Sequence, residues 1–151
     1  MTDREWRREP YWITTDPTKI DRAAARAYLA RSYWAEGVPQ EIVDRSIDNS
    51  LAFALFDGEK QIGFARIITD RATFAYVADV YVLEEYRRRG LARWLMDTIL
   101  AHPELQGLRR WILTTRDAHG LYAKVGFVPA ARTQRFMEID RPGLYVKPRG
   151  E

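Results

Sequence analysis

Two neighbouring stretches decide how this chain reads: Phe74-Ala75-Tyr76-Val77-Ala78-Asp79-Val80-Tyr81-Val82 and, just after it, Arg87-Arg88-Arg89-Gly90-Leu91-Ala92. The first is aromatic and β-branched, which marks a strand. Beyond Gly90 the apolar residues Leu91, Trp94, Leu95 and Ile99 follow helical spacing and bury one face. An arginine-rich turn with small residues at Gly90 and Ala92 therefore opens a helix. Such a helix start presents unpaired N–H groups and the positive end of the helix dipole. Small residues let a bulky anion approach the main chain. Strand, turn and helix together predict a phosphate-binding site suited to a pyrophosphate. The competing reading is a solvated basic turn, the common fate of an arginine run.

Further along, Trp111-Ile112-Leu113-Thr114-Thr115 reads as a buried strand, followed by Ala118, Leu121-Tyr122, Lys124 and Gly126-Phe127. With Arg87-x-x-Gly90-x-Ala92 behind a strand that ends at Val82, and Tyr86 just before the turn, this order resembles the acyl-CoA-binding signature of the GNAT superfamily of N-acyltransferases. The resemblance spans roughly residues 11 to 140. It implies an α/β (α+β) fold: a mixed, mostly antiparallel twisted sheet flanked by helices, with splayed central parallel strands forming a coenzyme A cleft.

Composition is that of one globular domain over residues 1–151. The chain is long enough for one core and short for two. Hydrophobic residues make up 46%, including five Trp, eight Tyr and six Phe, enough to fill that core. With no cysteine, thiolate catalysis, disulfides and Cys-based zinc sites are excluded. Two isolated histidines, His102 and His119, do not make a metal cluster, so no metal is expected. No apolar run reaches the roughly 20 residues of a membrane span, and Met1–Arg8 lacks the apolar centre of a secretion signal. A cytoplasmic protein with no membrane partner is the expectation. The 24 basic and 21 acidic residues are interspersed, giving a net charge of +3 and no one-sided basic stripe. That pattern argues against a nucleic-acid partner and suits a polyanionic cofactor.

Coarse patterning orders the elements. Tyr11–Thr15 is a predicted first strand. Thr18 and Asp21 are spaced like a capping box ahead of an Ala-rich helix running to about Ser32. Pro39 fits the first residue of a second helix through Ile42, Val43 and Ile47. Leu51–Phe56 and Gln61–Thr69 form strands joined at Asp57-Gly58. His102-Pro103 closes the helix that follows Gly90. Arg135–Ile139 is a predicted last strand, and the tail from Pro142 to Glu151 is expected to be partly disordered.

The resemblance also assigns roles. Backbone groups of Val80 and Val82, flanking Tyr81, would pair with a pantetheine arm, and an N–H near Val80 would polarise a thioester carbonyl. Arg87, Arg88, Arg89, Gly90, Leu91, Ala92 and Arg93 would surround the coenzyme's phosphates. Tyr122 falls where the family commonly places the acid that protonates the leaving thiolate, and a phenol with pKa near ~10 stays protonated at neutral pH. Thr115 stands where the family often has an asparagine bonding pantetheine; threonine keeps one hydrogen-bonding hydroxyl. Lys124 would approach a coenzyme phosphate or lie in solvent, and His119 would neighbour the site or sit on the surface. Some members carry a glutamate base near position 76, where this chain has Tyr76.

Asp79 is an acidic residue in an apolar strand, which is costly unless it is paired or functional. Two readings stand side by side: a general base or cation-binding group, and a structural partner for an arginine such as Arg66. Acceptor recognition is expected from Tyr33 and Trp34, with Glu36 nearby and Phe74 and Tyr76 lining the same cleft. The alternative for Tyr33 and Trp34 is a hydrophobic lid of the core. The resemblance thus implies an acetyl-CoA-dependent N-acetyltransferase with a primary-amine acceptor. Without cysteine, direct attack in a ternary complex is favoured over a covalent intermediate. A non-catalytic acyl-CoA-binding module of the same fold is the alternative. Dimers are common in families of this kind, which leaves a homodimer open.

Overall fold

Leu51–Asp57 (β3) is apolar at nearly every position, which a strand tolerates when both of its faces are covered. Both faces are. In the computed structural model, which describes residues 4–146, β3 lies inside a sheet ordered β1-β2-β3-β4-β5-β6. The other strands are Glu5–Arg8 (β1), Tyr11–Thr14 (β2), Lys60–Thr69 (β4), Phe74–Val82 (β5) and Arg110–Ile112 (β6). Every neighbouring pair is antiparallel except β5 and β6, which run parallel. The mixed, mostly antiparallel sheet expected from the sequence is therefore present, with its parallel pair at one end of the described sheet.

Two helices cover each face. Arg22–Leu29 (α1) and Gln40–Asp48 (α2) press Ala25, Leu29, Val43 and Ile47 onto Ala52, Ala54, Phe56, Phe64 and Tyr81. On the opposite face, Leu91–Leu100 (α3) and His119–Lys124 (α4) meet Phe53, Leu55, Ala65, Ile67, Val77 and Val82. Alternate residues of β3 thus enter different cores, following the two-residue period of a strand. Phe53 and Phe64 are fully buried, and truncating either to alanine would cost about 3–5 kcal/mol. His102, also buried, accepts the Glu104 N–H on Nδ1 and packs against Trp6 and Phe53. Burial lowers its pKa. No helix among the described residues is long and apolar enough to cross a membrane.

Several boundaries differ from the sequence reading. The cap of α1 is Asp21, whose carboxylate accepts the Ala24 N–H, whereas Thr18 belongs to a preceding turn closed on Asp16. Pro39 is the residue just before α2. β1 was not expected; it pairs with β2 and sends Trp6 onto Phe53. The strand expected at Trp111–Thr115 ends at Ile112. The strand expected at Arg135–Ile139 does not form: Thr133–Arg135 is a single 3₁₀ turn and the chain beyond it is irregular. Phe136 lies beside the Arg110 guanidinium of β6, at 5.4 Å. Met137 and Ile139 are 96% and 86% exposed, so this stretch lacks the buried face that would pin a strand register. Residues 142–146 are irregular, and the rest of the tail lies outside the described residues.

Candidate active site

The parallel pair makes the site by coming apart. β5 and β6 are paired only at Phe74↔Arg110, Ala75↔Trp111 and Tyr76↔Ile112. Past Tyr76, β5 runs on to Val82 while the chain after Ile112 leaves the sheet, so the β6-facing edge of residues 77–82 has no strand partner among the described residues. In the same stretch β5 bulges. Its register against β4 shifts between Phe64 and Arg66, leaving Asp79 and Val80 opposite Ala65 alone. Asp79 takes up the extra residue with φ +56°, a left-handed conformation that aspartate tolerates better than most side chains.

The space opened by this splay is a cleft of about 950 Å³. One wall is the α3 start. Gly90 sits at φ +75°, ψ 10°, ahead of Leu91, Ala92 and Arg93, whose N–H groups belong to the unpaired first turn. A methyl group at Gly90 would meet nothing within 4 Å, so glycine is needed here for its backbone angle and for the open approach in front of it. Arg87, Arg88, Arg93 and Lys124 all line the cleft and make this end positive. Arg87 is locally fixed: Nε donates to the Val82 carbonyl at 3.1 Å and Nη2 donates to the Tyr28 hydroxyl at 3.0 Å. Arg89 faces elsewhere, donating to the Tyr11 hydroxyl and the Glu85 carbonyl while lying over the Tyr86 ring.

Opposite, α4 brings Tyr122 to the cleft. Its ring packs edge-on against Phe127, with centroids 5.9 Å apart, and the residue is only 9% exposed. Burial, with a smaller contribution from the neighbouring Tyr33 phenol, pushes its pKa up to about 12. Tyr81, stacked on Tyr28 at 3.9 Å, is likewise pushed up to about 12 by burial. The chain between α1 and α2 closes the far side through Tyr33, Trp34 and Glu36. Tyr33 accepts the Arg116 N–H on its hydroxyl at 3.2 Å and carries the Arg116 guanidinium over its ring at 3.9 Å. Trp34 donates its indole N–H to Asp79.

The structure therefore brings together Tyr33, Trp34, Val80, Tyr81, Val82, Arg87, Arg88, Gly90, Leu91, Ala92, Arg93 and Tyr122 around one cleft. Five other expected site residues stand back from it. Asp79 lies behind Trp34, and Arg89 is turned away. Thr115 accepts the Ala118 N–H on Oγ1 at 3.0 Å, at the start of α4. The Tyr76 hydroxyl is 3.1 Å from that of Thr114, and Phe74 lies at the far end of β5. His119 is exposed on α4. Residues that sequence reasoning did not single out also line the cleft. Tyr28 comes from α1, and Arg31 pairs through its two terminal guanidinium nitrogens with Glu84, lowering the Glu84 pKa to about 2. Nothing local marks Tyr28. Its value lies in stacking on Tyr81, a contact spanning more than fifty residues of sequence.

Comparison with known proteins gives a consistent result. A crystal structure from Xanthomonas campestris pv. campestris, assigned to the GNAT acetyltransferases, is 47% identical with a TM-score of 0.88, covering 91% of this chain and 97% of that one. A Gibberella zeae protein that carries an acetyltransferase name is 30% identical over 124 residues, 69% of each chain. A Clostridium acetobutylicum protein solved with acetyl-CoA shares the fold, at a TM-score of 0.65 and 15% identity, over 92% of this chain and 95% of its own. Residues 6–127 match the acetyltransferase (GNAT) family, and this chain belongs to it.

Proposed function

We propose that this protein is an N-acetyltransferase that moves the acetyl group of acetyl-CoA onto a primary amine of a small molecule or peptide, by direct attack in a ternary complex. The observation that carries this reading is the meeting, in one cleft, of three features. They are the positive α3 start behind Gly90, the unpaired edge of β5 past Tyr76, and the protonated phenol of Tyr122.

Each feature answers a need of the reaction. The N–H groups of Leu91, Ala92 and Arg93, with the guanidinium groups of Arg87, Arg88 and Arg93, suit the coenzyme's diphosphate. The free edge between Val77 and Val82 offers main-chain donors and acceptors to the amide groups of a pantetheine arm, as an added strand would use them. The bulge turns the backbone at Val80, and an N–H there would hold the charge that develops on the carbonyl oxygen. As the amine nitrogen bonds to the carbonyl carbon and the C–S bond breaks, the Tyr122 hydroxyl would donate a hydrogen bond to the sulfur as charge builds on it; the thiolate then takes its proton from water, and the amine's surplus proton leaves to water.

Calorimetric titration with acetyl-CoA, with dephospho-CoA and ATP as controls, followed by thiol-release assays over a panel of amines, tests the reading. Micromolar binding weakened without the 3′-phosphate, with amine-dependent thiol release, is expected. No binding at millimolar coenzyme would overturn it. Binding without thiol release from any amine would instead favour a non-catalytic acyl-CoA-binding module.

A further inference from the structure

The half-buried acidic residue of β5 is more fully committed than a general base should be. Asp79 Oδ2 accepts from Arg66 Nε at 2.8 Å, and Oδ1 accepts from Trp34 Nε1 at 2.9 Å, so each carboxylate oxygen already serves a donor. The side chains of Arg66 and Asp79 are 17% and 12% exposed, which makes this the most enclosed ion pair among the described residues. Arg66 is itself anchored, with Nη1 donating to the Ser50 hydroxyl at 3.1 Å between α2 and β3. A chain of polar contacts thus runs from Ser50 through Arg66 and Asp79 to Trp34. It connects the sheet interior to the segment that closes the cleft.

That segment is held on both banks. Tyr33 is tied to Arg116, just ahead of the helix that carries Tyr122, and Trp34 is tied to Asp79 on β5. The two rings meet edge to face at 5.1 Å and form one aromatic wall. The Tyr145 carbonyl lies directly behind Gly37 in the same segment. Because Asp79 is also the left-handed residue of the bulge, the position that bends β5 beside Val80 is the position that fixes the wall across the cleft. A loop of this kind has many accessible conformations when unpinned, and a substrate would have to order it on binding.

We propose that Asp79 is a positioning residue, which holds Trp34 in place so that the Tyr33–Trp34 wall presents a preformed surface to the acceptor amine. This rests on the acetyltransferase reading, and it makes a claim that holds whether or not that reading does: the Trp34 indole N–H is engaged in the resting protein. The link would act on acceptor recognition and leave coenzyme affinity alone.

Two measurements test it. In 15N-labelled protein, Trp34→Phe identifies the Trp34 indole signal by its loss. Its hydrogen exchange is expected to be at least about tenfold slower in the parent protein than in Asp79→Ala, the scale of one charge-assisted hydrogen bond. Exchange at the rate of free indole in the parent overturns the proposal on its own, before any activity is measured. In steady-state kinetics, Trp34→Phe keeps an aromatic ring and removes only the N–H. The KM for the amine should rise about 5- to 30-fold, by more than kcat falls, while the Kd for acetyl-CoA stays within about twofold. Asp79→Asn, which keeps the shape and loses the charge, should raise the same KM, and the double variant should add little to either single one, because both break one link. If Asp79→Asn lowers kcat at least about 100-fold in parent and Trp34→Phe backgrounds alike, with amine KM unchanged, the residue acts as a base and the proposal fails. Loss of acetyl-CoA binding by the parent protein would overturn the function and leave the exchange result standing.

Discussion

Tyr122→Phe removes one oxygen from the proposed reaction, and the structure sets how much that should matter. The phenol is held near pKa 12, mainly by burial. A thiol ionises near ~8.5, so a phenol at this value is the weaker acid by three to four powers of ten. Complete proton transfer to a free thiolate would therefore run uphill. What Tyr122 offers is a short hydrogen bond to sulfur while negative charge builds on it in a partly dry cleft. A hydrogen bond to a charged group contributes about 1.5–3 kcal/mol, which converts to roughly 10- to 150-fold in rate. The expected loss sits at the lower end of general-acid effects, which run to about 10⁴.

The variant is clean because the ring stays. Its contacts come from the ring face and edge, including Phe127 at 5.9 Å, and phenylalanine preserves them. Thiol release should be followed at saturating amine and acetyl-CoA, with acetyl-CoA affinity measured by calorimetry on the same preparation. Expected are a kcat reduced about 10- to 150-fold and a Kd within about threefold. With its folded pKa near 12, Tyr122 should impose no basic limb on kcat below about pH 10. A kcat within twofold of the parent would remove Tyr122 from the chemistry. A basic limb below pH 10 that disappears in Tyr122→Phe would refute the picture of a buried, firmly protonated donor.

Other perturbations probe other parts of the argument. Gly90→Asp keeps a residue that tolerates φ +75° and places a carboxylate in the open space before the α3 start. Acetyl-CoA affinity should fall at least about 100-fold by calorimetry with the far-UV spectrum unchanged, whereas undiminished binding would rule out a phosphate site here. Gly37→Ala would put its Cβ 2.8 Å from the Tyr145 carbonyl oxygen at φ +79°. It should destabilise by about 1–2 kcal/mol, lowering Tm by about 2–8 °C; an unchanged Tm would mean that the chain near Tyr145 gives way freely. Tyr81 and Tyr122 both hold their protons to about pH 12, above the ordinary value of 10.0. The folded protein therefore binds more protons than the unfolded chain between these values, so stability is full below pH 10 and falls as pH rises through 12. Each group contributes at most about 2–3 kcal/mol, and denaturant titrations between pH 9 and 11.5 should show a shallower fall in Tyr122→Phe.

What the sequence reveals is what short-range chemistry decides. Gly90, Leu91 and Ala92 were readable because a left-handed glycine, a helix start and an apolar stripe lie within ten residues. The same holds for Asp57-Gly58 and its hairpin. β1 escaped because Glu5-Trp6-Arg7-Arg8 carries one apolar side chain, and only its pairing with β2 makes it a strand. Arg135–Ile139 carries the aromatic and β-branched residues of a strand in Phe136 and Ile139, but no buried face receives it in the described structure. Arg89 is indistinguishable from Arg87 and Arg88 by sequence, and it is the Tyr11 hydroxyl on a distant strand that turns it from the cleft.

Asp79 shows why the two halves of the site differ in this respect. A charged residue in an apolar strand announces that something must neutralise it, but alternation alone cannot say that the strand bulges there or which donors arrive. Those donors come from Trp34 and Arg66, 45 and 13 residues away, and each depends on its own element being packed first. The half proposed to hold the coenzyme is thus written locally, in a turn and the helix it opens. The half proposed to receive the acceptor exists only once α1, α2, β4 and β5 have come together. Substitutions near Gly90 should therefore act on coenzyme affinity with little effect elsewhere. Those at Ser50, Arg66 or Trp34, remote from the proposed reacting atoms, should converge on one property: how well the cleft receives its amine.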